Sequence, residues 1–262
     1  MIESYSYYVR IVVGTIIQLF GNVVKAICFL HYKMAPSTRF IIPNVSPPKI
    51  TSSKEKLIPR IVWQTNYTNE VVLAIYLNYL WNRFLTPTFE YRFFTDKDCL
   101  EFVEKHFPSE TLDCYSRLQI GAAKADVWRV LALIKEGGVY LDIDATLLWP
   151  PEKFLLAGQK ELFIQARNGT LTNYFMAAAP GNSILSAVSE RIQANIAQNT
   201  LRNVFEMTGP AVLETIGNDK EVQVEESRLV CRQGVFTNKY LQYPNETGGY
   251  WAQEQIEKNI VK

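Results

Sequence analysis

The most apolar stretch of the chain runs from residue 9 to residue 32. Its uncharged run, Ile11–Val24, is 14 residues long and reaches Leu30 only across Lys25. A full bilayer span needs about 20 apolar residues, and shorter runs more often lie in the interface. Gly14, Gln18, Asn22 and Lys25 recur at helical spacing and form one polar stripe on a Val/Ile/Leu/Phe surface. The pattern predicts an amphipathic, membrane-associated helix over residues 1–34. A helix packed on the body and a single signal anchor are the competing readings. If it spans, Lys25, Lys33 and Arg39 favour a cytoplasmic C-terminal side. No small-residue cleavage site follows the run, which argues against a removed signal peptide.

Residues 35–56 hold Pro36, Pro43, Pro47 and Pro48 among Ser and Thr, and read as a linker. The body starts near Leu57 and continues to residue 262. Residues 58–65 read as a buried strand with a polar end, and residues 69–84 as a helix. Residues 89–94 form a second strand, after which Thr95 and Asp96 open a capped helix. A long helix is expected from Ser116 to Glu136, stopped by Gly137 and Gly138, followed by a strand from Val139 to Leu148. This alternation predicts an α/β domain of Rossmann-like architecture with a mostly parallel central sheet.

Of the 262 residues, 48% are hydrophobic and 20% charged, an ordinary globular balance. The net charge of +1 gives no field that would attract nucleic acid, so no nucleic-acid partner is expected. The charge is uneven, however. Residues 1–60 carry eight Lys/Arg against two Asp/Glu, and the rest carries 19 against 24. A basic head on an acidic body points to an anionic surface such as a membrane face. Cys28, Cys99, Cys114 and Cys231 lack metal-finger spacing, and three of them fall in the body, which favours a reducing compartment. Sequons at Asn44, Asn66, Asn168 and Asn245 point the other way. The balance favours the cytoplasmic face of a membrane, with a Golgi-luminal type II membrane protein as the alternative.

The chemistry concentrates in Ala125-Asp-Val-Trp-Arg129 and Gly137-Gly-Val-Tyr-Leu-Asp-Ile-Asp144. In a strand, Tyr140, Asp142 and Asp144 share one face, while Val139, Leu141 and Ile143 face the core. Two carboxylates side by side repel unless a cation or proton lies between them. Hard oxygen ligands favour Mg²⁺ or Mn²⁺, usually together with substrate phosphates. Asp126 and Arg129, three apart on a helix, share a face. From Arg129 to the helix end is about 10 Å at the helical rise. From Gly138 to Asp142 is about 13 Å at the strand rise. The four side chains should therefore converge.

These motifs resemble glycosyltransferase family 32, a group that includes yeast initiating α-1,6-mannosyltransferases and bacterial capsular and lipopolysaccharide transferases. Ile58-Pro-Arg-Ile-Val-Trp-Gln-Thr65 is similar to the family's first strand, with Trp63 where His is usual. Tyr91-Arg-Phe-Phe-Thr-Asp96, Ala123-Lys-Ala-Asp-Val-Trp-Arg129 and Thr208-Gly-Pro210 resemble further family segments. The resemblance runs from about Leu57 to Trp251. It implies a single GT-A domain, a divalent metal and a UDP- or GDP-hexose donor. Asp142 and Asp144 would be the Asp-x-Asp pair on metal and diphosphate, with Asp142 also near the ribose. Asp126 and Arg129 would hold donor-sugar hydroxyls. Gln64 and Thr65 would line the nucleotide, Asn173 would face the pocket, and Trp251 would cover the diphosphate. Gly248-Gly-Tyr-Trp-Ala252 lacks the family's His before the Trp, so a third metal ligand is sought at Asn245 or Glu246.

The expected activity is metal-dependent, retaining transfer of a hexose from a nucleotide-diphosphate sugar to a glycan or glycolipid acceptor. Surface polysaccharide or lipopolysaccharide biosynthesis is the expected setting. Two rivals predict no transfer. One is a membrane-attached protein that binds carbohydrate or sugar nucleotide without turnover. The other is a haloacid-dehalogenase-like phosphatase, suggested by Leu141-Asp-Ile-Asp-Ala-Thr-Leu147, although Asp219 is the only later Asp to complete its metal site.

Overall fold

The computed structural model describes residues 2–242 and 251–262. The chain begins with a long helix, α1 (Ile2–Met34), followed by short strands β1 (Phe40–Ile41) and β2 (Val45–Ser46). The body then runs β3 (Ile61–Thr65), β4 (Glu70–Val71), α2 (Leu73–Leu85), β5 (Glu90–Phe94), α3 (Asp96–His106), α4 (Ser109–Ser116) and α5 (Gly121–Glu136). Next come β6 (Gly138–Leu141), β7 (Ala145–Leu147), β8 (Glu161–Gln165), β9 (Leu171–Ala178), α6 (Ser183–Gln198), α7 (Val204–Met207) and α8 (Pro210–Asn218). The last elements are β10 (Val224–Glu226), α9 (Ser227–Val230), β11 (Cys231–Gln233), α10 (Lys239–Gln242) and α11 (Trp251–Glu257).

Among the described residues, the main sheet has seven strands in the order β10-β8-β9-β6-β3-β5-β2. The pairs β10·β8, β3·β5 and β3·β6 are parallel, and β2·β5, β6·β9 and β8·β9 are antiparallel. Five strands therefore run one way, with β9 inserted in reverse beside β6 and β2 reversed at the edge. The sheet is mixed rather than simply parallel, within the expected α/β architecture. The segment 35–56, expected as a linker, supplies β1 and β2, which pair with β4 and β5.

Apolar layers cover both faces, as a sheet buried on both sides requires. Trp63, Trp128, Tyr140, Phe163 and Met176 pack on one face with α3, α5 and α6. Val62, Tyr91, Phe93, Val139, Leu141 and Phe175 pack on the other, towards α2. Helix α3 starts with the expected cap: Thr95 Oγ1 accepts from the Asp98 amide while the Asp98 carboxylate accepts from the Thr95 amide.

Two expected elements are split. The long helix Ser116–Glu136 is interrupted at residues 117–120, where Arg117 and Gln119 pair with the C-terminal residues. Gln119 N donates to Ile260 O (2.9 Å) and Lys262 N to Arg117 O (2.9 Å). The strand Val139–Leu148 breaks at Asp142–Asp144, where Ala145 N donates to Asp142 O at 2.9 Å and closes a tight turn. The glycine pair before it is required twice over. Gly137 and Gly138 have φ of 68° and 109°, and a Cβ on Gly138 would stand 2.6 Å from Ile61 O.

Helix α1 lies along the body, and its polar stripe is only partly turned to water: Asn22 is exposed, but Gly14 is buried and Gln18 and Lys25 are half-buried. The contacting seam is Tyr7, Arg10, Gly14, Ile17, Gly21, Val24 and Cys28, alternating steps of three and four residues. A Cβ on Gly21 would sit 2.3 Å from Val235 O, so glycine allows the backbones to meet. Lys25 Nζ donates to Gly234 O at 3.1 Å instead of reaching solvent. The exposed face is apolar: Val12, Ile16, Leu19, Val23, Ile27 and Leu30 are each more than half exposed.

Candidate active site

The four expected side chains converge at the carboxyl end of β6, where parallel-sheet sites form. Arg129, on the buried face of α5, stands between two carboxylates. Its Nη2 is 3.2 Å from Asp126 Oδ1 and 3.0 Å from Asp142 Oδ1. Its Nη1 donates to Asn173 O (2.8 Å), its Nε to Ala125 O (3.1 Å), and its guanidinium lies 4.5 Å from the Tyr140 ring centre. Tyr140 and Asp142 share a face, and the Tyr140 hydroxyl donates to Asp142 Oδ1 at 2.9 Å. Asn173, on β9, is brought into the cluster: its Nδ2 donates to Asp126 Oδ1 at 2.9 Å. Thr208 Oγ1 donates to Asp126 Oδ2 at 3.0 Å.

Asp126 is thus enclosed and satisfied. Burial raises its carboxyl to about 6, although Arg129 and the Thr208 and Asn173 hydrogen bonds pull it down. Asp142 and Asp144 form the accessible end, the Asp142 side chain being 21% exposed. Gln233 Nε2 donates to Asp142 Oδ2 at 3.1 Å and to Asp144 Oδ1 at 3.2 Å. Burial and then the Asp142 charge push the Asp144 carboxyl up to about 7. A carboxylate pair with only one amide between its members is poorly compensated, and a hard divalent cation suits that donor set.

Gln64 and Thr65 lie at the carboxyl end of β3, but their side chains turn inward. Gln64 is fully buried, donating to Asp142 O (3.0 Å) and accepting from the Tyr91 hydroxyl (3.0 Å). Thr65 Oγ1 donates to Phe94 O at 2.9 Å and lies 3.2 Å from Cys99 Sγ. Gln64 therefore braces the Asp142 backbone, and Thr65 ties β3 to β5 and α3. Trp63 points away from the site: its ring packs on Trp128 and Phe94, and its Nε1 donates to Gly137 O at 2.7 Å. Trp251 opens α11, but its side chain, like Asn245 and Glu246, lies outside the described residues.

Comparison with known proteins bears on this cluster. Residues 55–163, which include Asp126, Arg129, Asp142 and Asp144, match the family described as a glycosyltransferase sugar-binding region containing a DXD motif. This stretch is similar to the sugar-binding region of DXD glycosyltransferases. The chain is 30% identical over 134 residues to inositol phosphoceramide mannosyltransferase 3 of Schizosaccharomyces pombe, covering 51% of this chain and 36% of that protein. It is 25% identical over 189 residues to the initiation-specific alpha-1,6-mannosyltransferase of the same yeast, covering 59% of this chain and 46% of that protein. The match thus spans less than half the length of either relative. In three dimensions the fold resembles PaToxG glycosyltransferase, with a TM-score of 0.50 and 16% identity over 83% of this chain and 79% of that one. The shared fold is of the GT-A kind.

The Asp142–Asp144 site also depends on groups that sequence reasoning did not single out. Asn78 and Asn82, on α2, reach the backbone beyond the turn. Asn78 Nδ2 donates to Ile143 O (3.0 Å) and Ala145 O (2.9 Å), and Asn82 Nδ2 donates to Ala145 O at 2.8 Å. Asn82 Oδ1 accepts from Leu147 N at 2.9 Å. Their signal was available: two Asn four residues apart within an otherwise apolar helix face. Thr208 was noted only as part of a turn motif. Gln233 carries no local signal, since 88 residues separate it from Asp144.

Proposed function

We propose that this protein transfers a hexose from a nucleotide-diphosphate sugar to a glycan or glycolipid acceptor, with a divalent metal and with retention at the anomeric carbon. The observation that carries the reading is the accessible Asp142–Asp144 pair, set beside Arg129 within a matched DXD region. Mg²⁺ or Mn²⁺ held by Asp142 and Asp144 would supply Lewis-acid stabilisation of the departing diphosphate. Arg129 pairs with Asp142 and orients it, and Tyr140 fixes its second direction. Asp126, with Asn173 and Thr208, forms the floor on which the donor sugar rests and is aligned for attack. Gln64 and Thr65 border the nucleotide by shaping the end of β3, and Trp251 is assigned to the diphosphate side. Residues 57–262, with the strands that 35–56 adds to them, are taken as the catalytic unit and 1–34 as the membrane-facing helix.

Both yeast relatives are mannosyltransferases by name, which favours a mannosyl donor among hexoses. A lipid-linked acceptor is favoured by the apolar outer face of α1, which would seat the domain on a membrane surface. Surface polysaccharide or lipopolysaccharide precursors fit that seat. The four unpaired cysteines favour its cytoplasmic side.

A thermal-shift panel of UDP- and GDP-sugars, with and without Mn²⁺, tests the reading, because a ligand of the folded state raises the melting temperature. Stabilisation by one nucleotide class, dependent on metal and lost in Asp144→Ala, is expected. The absence of any shift on folded protein would return the binding-protein and phosphatase readings to the front.

A further inference from the structure

We propose that Gln233 is a protein ligand of the divalent cation bound by Asp142 and Asp144. The proposal rests on the metal-dependent reading above and extends it to a residue far from the motif.

Position is the first support. Strand β11 pairs antiparallel with β7, placing Gln233 opposite Ala145, immediately after the Asp142–Asp144 turn. Gly234 N donates to Asp144 O at 3.0 Å, fixing the backbone of β11 to that of the turn. Gly234 has φ of 68°, so the chain leaves the site directly after Gln233. The residue is held at the turn by main-chain bonds that do not involve its own side chain.

Distance is the second. Gln233 Nε2 stands 3.1 Å from Asp142 Oδ2 and 3.2 Å from Asp144 Oδ1. Neighbouring ligand atoms in an octahedral shell with metal–oxygen distances of about 2.1 Å are about 3.0 Å apart. The amide terminus therefore stands from each of the two carboxylate oxygens at about the separation of adjacent vertices around one small cation.

Chemistry is the third. Without a cation, the amide N–H₂ end is the favourable one to present to two carboxylates. With a cation, the same side chain offers a neutral carbonyl oxygen. The two ends of the planar amide exchange by a half-turn about its last side-chain bond. Carbonyl oxygens of Asn and Gln are ordinary ligands for hard divalent cations. The expectation of a third ligand near Asn245 or Glu246 is then unnecessary.

The test is direct Mn²⁺ affinity, read from the loss of the free-ion electron paramagnetic resonance signal. It compares wild type, Gln233→Ala, Gln233→Glu and Asp144→Ala, each with and without UDP or GDP. Gln233 is exposed, so its truncation leaves the core intact, and circular dichroism checks this. Gln233→Ala is expected to weaken Mn²⁺ by about tenfold or more, a size typical for loss of one group around a metal. Gln233→Glu is expected to restore or exceed wild-type affinity, and Asp144→Ala to abolish binding. Unchanged or tighter binding by Gln233→Ala, with Asp144→Ala still defective, would make Gln233 a mere plug and overturn this assignment alone. No Mn²⁺ binding by wild type under any condition would overturn it together with the metal-dependent reading.

Discussion

Asp142 and Asp144 are two residues apart yet answer to different neighbours. Asp142 balances the buried Arg129 and accepts from Tyr140, whereas Asp144 faces mainly another negative charge. Asp142→Asn should therefore lower the melting temperature, because it leaves a buried guanidinium short of a counter-charge. Asp144→Asn should raise that of the metal-free protein by relieving repulsion. Both should lose turnover, and calorimetry of the pair, with equal changes as the contrary result, checks the contrast. Glu152 offers a separate test by pH. Burial would raise its carboxyl, but bonds from Arg60, Lys56 and Thr88 outweigh that and hold it at about 2. A depressed carboxyl contributes stability above its unfolded value near 4.5 and loses it as pH falls towards 2. Glu152→Gln should cost about 1–2 kcal/mol at pH 7 and only about a quarter of that at pH 2.5 in denaturant titrations, the side chains being partly screened. At this scale the Asp126, Arg129, Asp142 and Asp144 convergence was legible, because helix and strand rises around Gly137 and Gly138 dictate it. The inward turn of Gln64 was not, since its partners Tyr91 and Asp142 lie on neighbouring strands.

The elements that carry these residues were legible where local chemistry specified them. The Thr95 cap and the Gly137–Gly138 stop are set by a side-chain oxygen and by positive φ, and both are visible in sequence. The breaks at residues 117–120 and at Asp142–Asp144 were hidden, because each is made by a distant partner: the C-terminal residues in one case, α2 in the other. Strong β-formers on both sides of Asp142 read as one strand. The Asn78 and Asn82 amides instead draw the chain from β6 through a turn into β7. Asn82→Ala should test this directly. It would take the Asn82 partner from Leu147 N and remove one of the two amides on Ala145 O, at a cost of about 2 kcal/mol. Because the damage falls on the segment that carries Asp144, Mn²⁺ affinity should drop along with stability in the same protein. A destabilised variant with wild-type Mn²⁺ affinity would show that α2 supports the fold without shaping the turn.

For the whole molecule, the decisive feature is that α1 presents the seam containing Gly14 and Gly21 to the body and an apolar side outward. Among the described residues, one helix, Tyr7–Met34, is long and apolar enough to cross a membrane by composition. Crossing would require Arg10 and Lys25 to leave Leu229 O and Gly234 O, and would strip Val235 of the glycine packed on it. A helix lying in the plane of the surface keeps those contacts and buries Val12, Ile16, Leu19, Val23 and Ile27 in lipid. Leu80 and Phe84 on the neighbouring α2 are exposed as well. Exposed Lys33, Arg39, Lys49 and Lys239 add attraction to anionic headgroups, each worth about 1 kcal/mol near such a surface. The protein should sediment with phosphatidylglycerol-containing vesicles, bind phosphatidylcholine vesicles more weakly, and be released by alkaline carbonate. Ile16→Glu with Val23→Glu should abolish sedimentation while leaving the melting temperature unchanged, because neither side chain touches the body. Retention through carbonate washing would instead mean that α1 leaves the body and spans the bilayer.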